Sequence, residues 1–302
     1  NRRKLLIIMC LVAALAILAS GSNPGWAVTP MPNPGGTPDY FATPNWANSP
    51  PLRKFVDTLP GLGAASANNL GQYIPVAVPD TTTYPGSDYY EIEVGQYPEQ
   101  MHSDMPPTTL RGYRQTNTAD PTVSQFHYLG PLIISTKDRP VRVKFINSLP
   151  AGASGNLFVP VDTTIMGSGL FEINYDPETK APISTTTGMF SQNRATLHLH
   201  GGHSPWISDG TPHQWITPAS EVTSYPKGVS VAYVPDMWFD STTGATISAC
   251  AGMTTCAEPN ATNNPGPGAQ TFFWSNQQSS RLMFYHDHAW GITRLNVYIG
   301  EA

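Results

Sequence analysis

The chain has 302 residues, enough for one large or two small domains, and only 12% of them are charged, against 30 prolines and 26 glycines. Such a composition suits a β-rich, loop-rich protein and argues against a helical bundle. The net charge of −5, with no block of Lys or Arg beyond the first few positions, leaves nucleic-acid binding without support.

At the start, Arg2, Arg3 and Lys4 precede a 14-residue apolar run from Leu5 to Leu18, and small or turn-forming residues follow from Ser20 to Pro24. A basic segment, an apolar run and a small-residue zone make the layout of a signal peptide, assigned to 1–27. The run is shorter than the ~18 to 20 residues a membrane-spanning helix needs. The expectation is an exported protein (periplasmic, cell-surface or secreted) with no membrane association after cleavage. Arg2-Arg3 adds a weaker hint of twin-arginine export. No initiator Met is present, so the chain reads as one whose recorded start is late. Cys10 would leave with the leader. Cys250 and Cys256, in a loop rich in Gly, Thr and Ala, suit a disulfide in an oxidising compartment, with two free thiols as the alternative.

From 28 to 84 the sequence is rich in Pro, Gly, Asn and Thr and lacks periodicity, as expected of an extended N-terminal arm or a partly ordered leader. Strand patterns appear in order at Tyr89–Val94, Val141–Ile146, Ala195–His200, Arg281–His286 and Leu295–Ile299. No amphipathic pattern of three helical turns follows the leader. Short strands between turn clusters predict an all-β sandwich or barrel over 85–302, with a long Pro/Gly/Thr-rich surface insertion over about 223–268 that carries the Cys250/Cys256 loop.

The chemistry rests on histidine. Of eight His, four form two His-x-His pairs, His198/His200 and His286/His288. Residues i and i+2 of a strand share a face, so each pair presents two imidazoles side by side, and adjacent strands bring four together. Clustered imidazoles are costly to bury unpaired, and a transition metal relieves that cost. Spacing alone does not choose among Cu, Zn, Fe and Ni. A zinc amidohydrolase needs the alternating helices of a (β/α)₈ barrel, and a cupin is expected to place a Glu ligand soon after its pair. Gly201–Ser208 contains no Glu.

Leu197-His198-Leu199-His200-Gly201-Gly202, followed by Ser208-Asp209-Gly210, resembles the first copper motif of multicopper oxidases. Tyr285-His286-Asp287-His288-Ala289, followed by Thr293–Tyr298, resembles the second. The form of both is closest to bacterial spore-coat laccases and their bilirubin-oxidase relatives. Gln100–Thr108, Leu110-Arg111-Gly112-Tyr113, and Gly130-Pro131 leading to Asn147–Pro150 resemble the same subgroup. The match runs in order from about Phe55 to the end.

The resemblance implies a cupredoxin-like Greek-key sandwich or barrel. It also implies His198 as ligand of a type 2 copper, and His200, His286 and His288 as ligands of a binuclear type 3 pair. Asp209 matches an acidic residue that helps deliver protons to bound oxygen; as part of an Asp-Gly pair it also reads as a plain turn residue. Asp287 points away from the ligand face, as a supporting or surface group. His203 and His213 read as solvated loop residues, His102 as structural, and Trp206, Trp215 and Trp290 as packing residues.

In the family, a type 1 copper held by Cys and His takes electrons from the substrate. No Cys here has a His neighbour, and no third His-x-His pair exists. The chain is therefore expected to be the N-terminal part of a longer oxidase, supplying half the imidazoles of the oxygen-reducing cluster and inactive alone. Its expected partners are O₂, a small reducing substrate and later cupredoxin domains of the same chain. A copper-tolerance protein and a non-catalytic exported β-domain are the alternatives. The reducing substrate (phenol, aromatic amine, bilirubin-like pigment, Mn(II) or Cu(I)) is not fixed by the sequence.

Overall fold

The structure is a computed structural model that describes residues 52–176 and 178–302. The signal-peptide expectation for 1–27, Cys10 and the first part of the arm lie outside the described residues. The chain divides into two units, Asn1–Val56 and Asp57–Ala302. The described part of the first, 52–56, has no helix or strand; the account below concerns the second.

The expectation of an all-β chain holds. Among the described residues ten strands carry the fold, and the longest helix has six residues. The main sheet contains β1 (Asp88–Glu99), β2 (Thr108–Gln115), β3 (Val141–Asn147) and β9 (Ala269–Trp274), in the order β2-β1-β3-β9. The central pair β1/β3 is parallel and the flanking pairs are antiparallel. Alternation decides the faces. Tyr90, Ile92 and Val94 of β1 and Val141, Val143 and Phe145 of β3 are buried on the inner face, where Phe272 and Trp274 of β9 join them.

The outer face of this sheet is also covered. Residues 223–268, expected as a surface insertion, hold β7 (Phe239–Asp240) and β8 (Ala261–Thr262) and set Val234, Met237 and Phe239 against Tyr84 and Tyr89. Arg142 reaches outward from β3 to grip Asp236 with two hydrogen bonds of 2.6 and 2.7 Å. Its guanidinium lies over the Tyr84 and Phe273 rings. In the same segment Cys250 and Cys256 are joined by a disulfide. A separate hairpin, β4 (Leu170–Tyr175) with β5 (Pro182–Met189), carries its own pairing.

A short antiparallel ribbon packs on the inner face of the main sheet: β6 (His198–His200) with β10 (Phe284–His286). Both strands are shorter than the sequence pattern suggests. Ala195 pairs instead with Ile216 in an isolated bridge, and Arg281–Met283 lie outside any strand. Leu197 and Leu199 point into the apolar cluster of the main sheet, and Tyr285 packs against it.

One expected strand is a helix. Leu295–Ile299 lies mostly within α1 (Thr293–Tyr298). Its pattern of apolar residues with period two fits a strand, but the buried positions Ile292, Asn296 and Ile299 are spaced four and three apart, which is a helical face. The strands β2, β4, β5 and β9 were not expected from the sequence: β2 is rich in Thr, Arg and Gln, β5 in Thr, and β9 has no clean alternation.

Candidate metal centre

The β6/β10 register sets His286 opposite His198 and Phe284 opposite His200. The side chains at 198, 200, 284 and 286 therefore share one face of the ribbon, while Leu199 and Tyr285 occupy the other. The two histidine pairs meet. Ring centroids lie 5.6 Å apart for His198 and His200, 5.4 Å for His198 and His286, 5.5 Å for His200 and His286, and 5.6 Å for His286 and His288. His288, just past the end of β10, stacks on His198 at 4.8 Å.

Ligand nitrogens of His198, His200 and His286 all lie within 4.8 Å of one another, a metal-sized grouping. His288 lies beside this trio and outside that radius. Burial lowers the proton affinity of His286 and His288 below the ordinary histidine value, and the neighbouring imidazoles lower it further.

The ring orientations fit a cation. His198 Nδ1 faces the carbonyl oxygen of Asp209, His286 Nδ1 that of Asp287 at 2.6 Å, and His288 Nδ1 that of Gly210 at 3.2 Å. A carbonyl only accepts, so each Nδ1 donates to it, and in the neutral ring Nε2 is then the nitrogen able to bind a metal. Main-chain carbonyls holding the far ring nitrogen are the usual support of metal-ligating histidines. His200 Nδ1 and His286 Nε2 lie 3.2 Å apart. With metal–imidazole bonds of about 2 Å, two nitrogens on one ion sit at about that separation. Clustered imidazoles without thiolate ligands suit a first-row transition metal, copper among them.

The loop that supplies two of the carbonyls is held tightly. Asp209 follows the 3₁₀ turn Trp206–Ser208, and Gly210 has φ +67°; a Cβ there would lie 2.2 Å from the Leu197 carbonyl oxygen. Only glycine lets this loop lie against the lead-in to β6. The Asp209 carboxylate is 3.9 Å from His198 Nδ1 and is 41% exposed, so it links the site to solvent.

Behind the histidines lies a buried polar layer. Asp287, completely buried, accepts hydrogen bonds from the backbone N–H of Thr196 (2.9 Å) and Ala289 (3.0 Å) and from Asn296 Nδ2 (2.9 Å). Burial raises the Asp287 carboxyl, opposed by these donors and by the Arg194 guanidinium. Arg194 donates to the carbonyls of Ser191, Trp290 and Gly167 and lies over the Phe190 and Trp215 rings. Arg111, in the Leu110–Tyr113 stretch, donates to the carbonyls of Gln192 and Gly155 and sits 3.7 Å from Glu301. Tyr285 donates its hydroxyl to the Pro131 carbonyl at 2.6 Å.

Of the other sequence candidates, His203 is exposed. His213 is half-buried and packs against Trp290 with tilted rings, centroids 4.9 Å apart, and His102 sits between Asp57 and Asp104 at 3.7 and 3.9 Å. Trp215 is fully buried, but Trp206 is 69% exposed and is not a packing residue: it crowns a surface turn. The sequence reading missed Asn296 and the Asp209 and Gly210 carbonyls. An Asn inside an otherwise apolar run was the signal for the first; main-chain acceptors leave no mark in a sequence.

No family model matches the chain. Among curated proteins, a laccase of Bacillus subtilis (strain 168) is 27% identical over 249 residues, covering 82% of this chain and 32% of its own length. A laccase of Haloferax volcanii is 28% identical over 269 residues, covering 88% of this chain and 32% of its own length. The multicopper oxidase LPR1 homolog 5 of rice (Oryza sativa subsp. japonica) is 23% identical over 251 residues, covering 82% and 27%. An all-β chain with paired histidines on a ribbon thus shares most of its length with copper oxidases. It is similar to the N-terminal part of the multicopper oxidases. The chain spans about a third of the length of the first curated relatives it matches.

Proposed function

We propose that this chain is the N-terminal, cupredoxin-like part of a laccase-like multicopper oxidase and supplies half the imidazole ligands of its oxygen-reducing copper cluster. The observation that carries the reading is the convergence of both His-x-His pairs, with the proton of three rings committed to main-chain carbonyls. His198 would hold a type 2 copper, and His200, His286 and His288 would hold part of a type 3 pair. A type 1 copper and the remaining ligands would come from other domains of the longer protein. When bound, copper supplies the electron steps by which oxidation of a phenolic, aromatic or metal substrate is coupled to reduction of O₂ to water.

The chain's own residues orient and protonate. The Asp209 and Gly210 carbonyls fix the His198 and His288 rings, and the half-exposed Asp209 carboxylate passes protons from solvent toward the cluster. The Cys250–Cys256 disulfide supports export to an oxidising compartment. Among the described residues no helix is long and apolar enough to cross a membrane.

The test is copper content and O₂ consumption of the full-length gene product beside its His198→Ala/His286→Ala double variant. About four coppers per protein, with cluster copper and O₂ uptake lost in the variant, is the expected result. A copper-free protein, or unchanged oxidation without these histidines, leaves a structural β-domain as the reading.

A further inference from the structure

The β6/β10 ladder ends too early to hold the fourth histidine. Its last pair is His286 with His198. Continued in register, the ladder would set His288 opposite Thr196, yet His288 lies beyond the strand. Something other than strand pairing must fix His288 against His198.

The Asp287 side chain occupies that position. Its Oδ1 takes the N–H of Thr196, two residues before His198, and its Oδ2 takes the N–H of Ala289, directly after His288. One carboxylate therefore ties together the backbones of both histidine motifs. Asn296 of α1 adds a third bond to Oδ2 and anchors the pair to the main chain by donating also to the Arg194 carbonyl at 3.1 Å. Thr196, Asp287 and Asn296 are all fully buried, so water does not substitute for any of these bonds.

All three groups that face the carboxylate oxygens are donors. An amide at 287 would turn its own NH₂ toward the Thr196 N–H in one orientation and toward both the Ala289 N–H and Asn296 Nδ2 in the other, so buried donors oppose one another either way. The site therefore requires an acceptor-only side chain, short enough to span two adjacent segments. Aspartate meets that requirement; asparagine has the shape without the chemistry.

We propose that Asp287, held by Asn296, is a positioning residue that sets His288 relative to His198, His200 and His286 and so fixes the geometry of the metal centre. This rests on the copper-binding reading above and assigns a role that the ligands themselves do not reveal. The carboxylate does not touch the metal position: it acts through the main chain on either side of the ligands.

The experiment measures Cu(II) affinity by chelator competition, the EPR spectrum of bound Cu(II), and the thermal midpoint of the metal-free protein. These are compared for the full-length gene product and its Asp287→Asn and Asn296→Ala variants. The expected result for Asp287→Asn is a loss of affinity of about 10- to 100-fold with an altered Cu(II) spectrum, at temperatures where the metal-free variant is folded. Asn296→Ala, which keeps both main-chain bonds, should shift the same two readouts less, and it carries the test if Asp287→Asn does not fold. A lowered metal-free midpoint with affinity and spectrum unchanged would make Asp287 a stabilising residue only and overturn the proposal. Absence of copper uptake in the unsubstituted protein would instead overturn the metal-centre reading on which it stands.

Discussion

Asp80 shows how one carboxylate organises a turn. It precedes β1 and pairs with Tyr89 through two main-chain hydrogen bonds, while its side chain accepts from the N–H and hydroxyl groups of Thr82 and Thr83. Burial alone would raise the carboxyl, but these four bonds outweigh it and bring the value down to about 2. A group depressed on folding stabilises the fold above its unfolded value of about 3.9 and loses that contribution as pH falls through the folded value. The full displacement is worth roughly 2 kcal/mol, and solvent screening at a part-exposed turn reduces it to about 1 kcal/mol. Urea unfolding of Asp80→Asn should thus show a deficit of about 1 kcal/mol at pH 7 that shrinks between pH 4 and pH 2. A deficit constant across that window would mean the charge is not what the threonines hold. At this scale the sequence was informative where chemistry repeats: His198, His200, His286 and His288 stood out by spacing. Asp287 did not, because a carboxylate between two ligands looks the same in sequence whether it faces solvent or is buried under three donors.

The elements that place the histidines are short, and their shortness explains why their boundaries were hard to read. β6 and β10 have three residues each, too few for alternation to define an end. β1 and β3, with alternating residues in longer runs, were visible from their pattern. The apolar run at 295–299 was ambiguous between strand and helix, and the buried Asn296–Asp287 bond fits the helical choice because it brings the amide to the carboxylate. The loop after β6 is decided by a glycine. At Gly210 a methyl group would meet the Leu197 carbonyl at 2.2 Å, and the backbone is in the left-handed region. Gly210→Ala should therefore cost about 2 to 4 kcal/mol in denaturant unfolding. It should also weaken copper binding, since the Asp209 and Gly210 carbonyls that orient His198 and His288 must move. Unfolding and copper binding both unchanged would show that the loop has another way to sit.

Across the Asp57–Ala302 unit, the histidine cluster lies where two apolar clusters meet. Leu197 and Leu199, which flank His198, belong to the cluster under the main sheet. Ala289, next to His288, belongs with Ile292, Ile299 and Trp215 to the second. This arrangement was not legible in the sequence, because which apolar residues share a cluster depends on contacts between segments far apart in the chain. Its consequence is thermodynamic. An ion bound by both histidine pairs joins the two clusters, and any ligand of the folded state stabilises it by mass action. Copper at about 100 times its dissociation constant adds about 2.7 kcal/mol, which for a unit of this size raises the unfolding midpoint by roughly 5 to 10 °C. Calorimetry at neutral pH with and without Cu(II) should show that rise in the unsubstituted protein and lose most of it in His198→Ala. An equal rise in both proteins would place the bound copper elsewhere, and no rise in either would separate the stability of the seam from the metal.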